Sequence, residues 1–532
     1  MPSTKKLLSI TNLKKYFPIA KSSIFQRQQY YVKANEDISL DIYEGETLGI
    51  VGESGCGKST LGRVLLQLYE QTAGTTMYYG MSRAELAPRY VTDTLRHAKR
   101  YISKLHAAQA RADAASAKVS QLGEAATFFD LQNKNLAVAE YQTAQAHIAK
   151  ILGGFLVRDT EQGAALLYRK ARLEERAAAL SDRIRDIELM LDEAEGGTAD
   201  DGKPANASQL ARLKSRCDRL TRERDGLNAQ IREAEQSIAA IKQAHRDDVE
   251  FQRYEAMLDD GIDLARLKYS EMRILRKDLQ IIFQDPYSSL NPRFTIGQII
   301  EEGLVTHKFF RHGSPKMREH VVRTMKECGL QEYMLFRYPH QFSGGQRQRI
   351  SIARALAVHP KFVVCDECVS ALDVSIQSQI INLLQELKQK EHLTYMFISH
   401  DLSVVRYISD RICVMYLGNV VELADAATVF GDPRHPYTVA LLSSIPTTDM
   451  ESLKKERILL EGSIPSPVKP PDGCKFHTRC WMACDKCRRV PPPLAEIEPG
   501  HFVACHFPER KLDENGNYLF EMPKTEKKSA KE

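Results

Sequence analysis

The run Gly52-Glu53-Ser54-Gly55-Cys56-Gly57-Lys58-Ser59-Thr60 constrains this chain more than any other stretch. It fits GxxxxGK[ST], and it stands between the apolar Leu48-Gly49-Ile50-Val51 and the helix-like Leu61-Gly62-Arg63-Val64-Leu65-Leu66. Strand, glycine-rich turn and helix in that order make a phosphate cradle. The glycines let successive N–H groups turn inward, Lys58 reaches the β- and γ-phosphates, Ser59 offers a hydroxyl to Mg²⁺, and the helix start adds a favourable dipole. Gly52, Ser54, Gly55, Cys56, Gly57 and Thr60 complete the predicted cradle.

A cradle alone does not separate kinase, GTPase and transport ATPase, so other motifs must decide. Phe362-Val363-Val364-Cys365-Asp366-Glu367 reads as a buried strand ending in two acids, where one carboxylate can hold the Mg²⁺ shell and the next can polarise a water. Phe342-Ser343-Gly344-Gly345-Gln346-Arg347-Gln348-Arg349-Ile350 opens an amphipathic helix with a second set of small-residue backbone donors. Ser399-His400-Asp401 follows the apolar Thr394-Tyr395-Met396-Phe397-Ile398. With Leu279-Gln280-Ile281-Ile282-Phe283, these short apolar runs predict an α/β core with buried strands.

At 532 residues and 43% hydrophobic, the chain has material for two to four domains, at roughly 100–200 residues each. A net charge of +5 over that length does not call for a polyanionic partner. No run approaches ~18 consecutive apolar residues, and Met1 to Lys15 lacks an unbroken apolar segment. The expectation is a chain that neither spans a membrane nor carries a secretory signal.

Between Pro88 and Pro286 the only proline is Pro204, although the chain has 22. Within that span apolar residues recur at alternating three and four at Leu166, Leu173, Ala177, Leu180, Ile184, Ile187 and Leu191. They recur again at Leu210, Leu213, Cys217, Leu220, Leu227, Ile231, Ala234, Ile238 and Ile241, with Lys170 and Arg224 as the breaks. Heptad seams on either side of the Gly196 to Pro204 breaker predict an antiparallel coiled-coil hairpin with arms of roughly 40–50 Å. The Ala-rich stretch about 92–150 reads as helical without a placeable seam, and Cys217 reads as a small side chain of the seam rather than a ligand.

Five of the eleven cysteines fall between Cys474 and Cys505, close to His477, His501 and His506. Thiolates at that density suit Zn²⁺ or an iron–sulfur cluster, or pack reduced in a small C-terminal lobe; spacing does not choose. The Lys/Glu tail from Lys524 reads as solvated.

Taken together, these motifs resemble the ATP-binding cassette (ABC) family, and within it the ATP-binding subunits of oligopeptide and dipeptide importers. The resemblance covers about 1–80 and 269–510. It includes the branch-like phrases Ile282-Phe283-Gln284-Asp285-Pro286-Tyr287-Ser288-Ser289-Leu290-Asn291-Pro292-Arg293 and His435-Pro436-Tyr437-Thr438-Val439-Ala440-Leu441-Leu442. It implies a P-loop ATPase with a RecA-like core, an antiparallel β subdomain and a helical signature subdomain. It also implies that Gln284 is the Q-loop glutamine touching Mg²⁺ or the attacking water, Asp366 the metal acid of the Walker B strand, Glu367 the general base and His400 the switch histidine. Ser343, Gly344, Gly345 and Gln346 would cover the γ-phosphate of a nucleotide held by the opposite subunit, with Asp373 as the D-loop acid. Phe17 would stack on adenine, Tyr16 being the alternative in register. One departure is Cys368, where the family usually has proline after the two acids.

By the same resemblance, 1–80 and 269–445 form the ATPase, 81–268 is a helical insertion, 446–510 a Cys-rich region of the importer type, and 511–532 a charged tail. Some members of the branch hold a [4Fe-4S] cluster on cysteines matching Cys474, Cys480, Cys487 and Cys505, which leaves Cys484 as an extra thiol. The implied activity is ATP hydrolysis at the cytoplasmic face of the membrane. The implied partners are two membrane-spanning permease subunits, a second related cassette and, indirectly, an extracytoplasmic peptide-binding protein; nucleic acid is not among them. The competing reading is a soluble cassette with a coiled-coil arm serving DNA maintenance or translation. Its chromosome-maintenance relatives place the coil between Q-loop and signature, whereas here the coil precedes Gln284.

Overall fold

The computed structural model describes residues 5–21, 28–195, 207–310, 312–445 and 458–508. The breaker turn expected at 196–204 and the charged tail 511–532 lie outside the described residues.

Two sheets organise the ATPase part. The smaller runs β2 (Tyr31–Tyr43), β1 (Lys6–Pro18), β4 (Ala73–Tyr78), β5 (Ile262–Asp263), and its pairings are antiparallel. In the larger, β3 (Thr47–Val51) sits between β9 (Arg411–Tyr416) and β8 (Thr394–Ile398). Next to β8 come β7 (Phe362–Asp366) and β6 (Leu279–Ile282), all parallel. Every residue of β3, β7 and β8 is buried, which is why these strands read as continuous apolar runs rather than alternating ones. Register aligns their carboxyl ends: Ile50 and Asp366 both face Ile398, and Ile282 faces Cys365. Ligand sites in open α/β sheets form at such ends.

The far edge of this sheet is closed by β10 (Asn419–Asp425) and then by the hairpin β11 (Ala495–Glu498) and β12 (His501–Val503), all antiparallel. Part of the Cys-rich region is thus an extension of the main sheet.

The helical span leaves the small sheet after β4 and returns at β5, and these two strands pair directly, Tyr78 with Ile262 and Met77 with Asp263. Its ends are therefore held together by the ladder itself, so a long excursion costs little closure entropy beyond a short one. Helices Ala98–Leu122 and Phe128–Leu152 come first. The side chains of the first that face inward, Ala108, Ala112 and Leu105, are mostly small, which is why no apolar seam stands out there. Helices Thr160–Glu195 and Ala207–Ala244 then pack together through Leu173, Ala177, Leu180, Ile184, Ile187, Leu220 and Leu227. They run antiparallel: Leu166 near the start of the first meets Ile238 and Ile241 near the end of the second. The seam break at Lys170 is answered across the pair by Glu235 at 2.8 Å. Cys217 lies half-buried against the same cluster.

Candidate nucleotide site and thiol recess

The phosphate loop takes the backbone path that its glycines permit. Gly57 has φ 102°, and a Cβ there would meet the Ala34 carbonyl oxygen at 2.1 Å; Gly52 has φ 149°, with Met415 O at 2.2 Å from such a Cβ. Gly55 faces open space and Ser54 is exposed, so the mouth of the loop is accessible. Lys58 is 5% exposed, and its ammonium is held by the carbonyls of Gly52 at 2.8 Å and Glu53 at 3.0 Å. Cys56 packs into the core beneath the loop with its sulfur 4.0 Å from Lys58 Nζ, and burial raises its thiol pKa.

Asp366 ends β7 almost fully buried. The Ser59 hydroxyl donates to it at 2.5 Å and Arg63 Nη2 lies 3.3 Å from its other oxygen. The two groups expected around Mg²⁺ are thus adjacent across 307 positions of chain. Thr60 follows, half-buried, in the Lys58–Leu65 helix.

Glu367 has φ 50°, a left-handed conformation unusual for a glutamate, and its N–H donates to Ile398 O at 3.0 Å. This turn at the end of β7 brings its carboxylate to two partners. Gln284 Nε2 donates to Oε2 at 3.0 Å, and His400 Nδ1 lies 3.5 Å from the same oxygen. Cys368, in the position of the usual proline, packs at 2% exposure beside Cys365.

Ser343 caps the Gly344–Leu356 helix. Its hydroxyl accepts from Gln346 N at 3.4 Å and the Gln346 side chain accepts from Ser343 N at 3.1 Å, a reciprocal capping box. Gly345 abuts Ile376 of the Val374–Glu391 helix, which Asp373 precedes. Ser343, Gly344 and Asp373 are exposed, and no hydrogen bond described in the structure joins this group to Lys58, Ser59 or Asp366.

The two adenine candidates differ sharply. Tyr16 is 4% exposed, its hydroxyl donates to Glu36, and burial raises its pKa well above the usual range. Phe17 is half-buried, packs edge-on against Tyr69 at 5.4 Å and has Lys15 Nζ 4.6 Å from its ring centre. Tyr69 carried no motif that could have flagged it in the sequence.

Cys474, Cys480, Cys487 and Cys505 line one small recess, and all eleven cysteines are free. Burial raises the Cys480 thiol to about 12 and the Cys505 thiol to about 11. The neighbouring histidines have other partners: His477 Nδ1 lies 2.8 Å from Cys474 O, His506 Nε2 2.8 Å from Val490 O, and His501 Nε2 2.8 Å from Glu422. Cys484 sits beside the recess with its sulfur 3.8 Å from that of Cys487. Among the described residues no three His, Cys, Asp or Glu side chains converge as one metal ion would require.

Comparison with known proteins matches residues 35–155 and 236–370 to the family model "ABC transporter". Residues 421–487 match "Oligopeptide/dipeptide transporter, C-terminal region". YkfD of Bacillus subtilis is 53% identical over 248 residues, 46% of this chain and 75% of its own length. The oligopeptide transport ATP-binding protein AppF of Bacillus subtilis is 52% identical over 254 residues, 47% of this chain and 76% of its own. Among solved structures, the dimeric ATP-binding cassette MJ0796 bound to ADP and Pi aligns over 79% of this chain and 99% of its own at 16% identity. Its TM-score is 0.40, too loose to argue from.

Proposed function

This chain belongs to the ATP-binding subunits of the oligopeptide/dipeptide ABC transporter family, and we propose that it binds and hydrolyses ATP to drive uptake of peptides across the cytoplasmic membrane. One observation carries the catalytic part: Gln284 and His400 converge on a single oxygen of Glu367 beside the Ser59–Asp366 pair. Glu367 acts as general base on the attacking water, Gln284 and His400 orient it, and Lys58 neutralises the phosphates. Mg²⁺ would be held by Ser59 and Asp366, with Gln284 in its outer contacts. Phe17 stacks on adenine, since Tyr16 is buried and engaged with Glu36.

Ser343 to Gln346 and Asp373 act on the nucleotide of a second, related cassette. The exposure of Ser343 and Gly344 at a helix start supports that reading, because the capping box engages the N–H groups of Ser343 and Gln346 and leaves those of Gly344 and Gly345 at the helix N-terminus, where a phosphate is favoured. ATP would hold two cassettes together and hydrolysis would release them, a cycle that moves two permease subunits supplied by an extracytoplasmic peptide-binding protein. Among the described residues no helix is long and apolar enough to cross a membrane.

The division into an ATPase of 1–80 and 269–445, an insertion of 81–268 and a Cys-rich region of 446–510 is likewise our reading. The direct pairing of β4 with β5 supports a helical insertion between them, with Ile262 and Asp263 of the expected 81–268 belonging to the ATPase sheet, and the antiparallel apolar seam supports its coiled-coil hairpin. We read the four thiols that line one recess as the ligands of a [4Fe-4S] cluster, a reading supported by their gathering in one place and by thiolates being the ligands such clusters take. The cluster would be structural.

The test is to isolate the tagged chain from membranes in mild detergent with ATP present. Two polytopic membrane proteins and a second cassette are the expected companions. Recovery from the soluble fraction with ribosomes or DNA would overturn the importer in favour of the soluble cassette.

A further inference from the structure

Glu53, one of the unspecified positions of the phosphate-loop motif, is tethered twice from the C-terminal part of the chain. Its N–H donates to the Tyr437 hydroxyl at 2.8 Å. Its carboxylate receives both terminal nitrogens of Arg479, Nη1 at 2.8 Å and Nη2 at 3.1 Å. This is a fork-to-fork pair largely out of water, with the Arg479 side chain 7% exposed and that of Glu53 23%. The anchors are themselves fixed: Phe476 packs edge-on to Tyr416 at 5.2 Å and lies 5.4 Å from Tyr437, and Tyr416 and Tyr437 are 4.7 Å apart. On its other side Glu53 supplies one of the two carbonyls that hold Lys58.

We propose that Arg479 is a positioning residue of the nucleotide site, fixing the entry turn of the phosphate loop through Glu53 and cancelling a carboxylate that would otherwise repel the incoming polyphosphate. The inference rests on the reading of the loop as an ATP site and deepens it. Arg479 immediately precedes Cys480 of the thiol recess, so the Cys-rich region is joined to the phosphate loop by a charge pair. Two roles follow from one guanidinium: it sets the backbone that presents Lys58, and it removes a like charge from the path of the ligand.

The experiment is titration of the full-length chain with ATP and Mg²⁺ by calorimetry, comparing wild type, Arg479→Ala, Arg479→Lys and the double variant Glu53→Gln/Arg479→Ala. Arg479→Ala should weaken ATP binding on the order of tenfold, the size expected for one uncompensated charge about 10 Å from one unit of ligand charge at an effective dielectric of ~20. Arg479→Lys should recover part of the loss. The double variant should recover the part of the loss that the bare carboxylate causes but not the part that follows from the lost tether, whereas an arginine that only braced the C-terminal fold would leave the double as weak as the single. Wild-type affinity in Arg479→Ala, or a double variant no tighter than Arg479→Ala, would overturn the inference. A wild-type chain that fails to bind ATP would instead overturn the site reading beneath it.

Discussion

Gln284 donates to Glu367 Oε2 at 3.0 Å while His400 Nδ1 approaches the same oxygen at 3.5 Å, so one carboxylate oxygen is the meeting point of three chain segments. Replacing that carboxylate removes the proton acceptor but not the phosphate cradle. Glu367→Gln should therefore keep ATP affinity near wild type and lower turnover by about 10²–10⁴-fold, measured as phosphate release beside equilibrium ATP binding. Wild-type turnover from this variant would exclude Glu367 as the base.

Phe17 and Tyr16 are adjacent in sequence and opposite in circumstance, which makes them a clean pair to separate. Phe17→Ala removes a half-buried ring and should weaken ATP binding by about 1–3 kcal/mol, the range for base–aromatic stacking. Tyr16→Phe removes only the hydroxyl that donates to Glu36, leaving ATP affinity unchanged while lowering thermal stability by about 1 kcal/mol. Calorimetric ATP titration and a melting curve on each variant distinguish the two. Weakened binding in Tyr16→Phe alone would reverse the adenine assignment.

Iron content tests the thiol recess. Protein purified without oxygen should carry iron and acid-labile sulfide, with a broad visible absorption that Cys480→Ser or Cys505→Ser abolishes. Cys484→Ser should retain both, because Cys484 does not line the recess. Zinc without sulfide, or iron lost equally from Cys484→Ser, would contradict the four-thiol set.

How much of this was legible in the sequence depends on how far each contact reaches along the chain. The phosphate loop, the strand ending in Asp366 and the heptad spacing are local patterns, and the buried apolar runs read as strands are β3, β6, β7 and β8 of the larger sheet. Ser59 and Asp366 could be brought together in advance only because both belong to recognised motifs. The left-handed turn at Glu367 and the second aromatic, Tyr69, left no such mark. Nor did β1 and β4 announce themselves: β5, the partner that completes β4, lies beyond the whole helical span. The Arg479–Glu53 pair spans 426 positions, and neither residue is unusual for its neighbourhood, so only the folded chain reveals it.

Asp259 offers a pH-resolved test of how the helical span is anchored. Its carboxylate accepts from Lys150 at 2.7 Å, from the Tyr79 hydroxyl at 3.0 Å and from the Gly261 N–H at 2.9 Å, joining the end of the Phe128–Leu152 helix to the stretch before β5. Burial alone would raise its pKa, but the hydrogen bond and charge of Lys150, with the other donors, hold it below the ordinary aspartate value of 3.8. A carboxylate depressed in the folded state contributes stability that is present above the unfolded value and lost as pH falls through the folded one. Asp259→Asn should thus lower stability by about 1–3 kcal/mol at pH 7, the range for an unmade charged hydrogen bond. The gap in melting temperature between wild type and variant should narrow only once pH drops below about 3.8. A gap that is constant from pH 7 through pH 3, or that closes already near pH 6, would show that the charge of Asp259 is not what fastens the helices to the sheet.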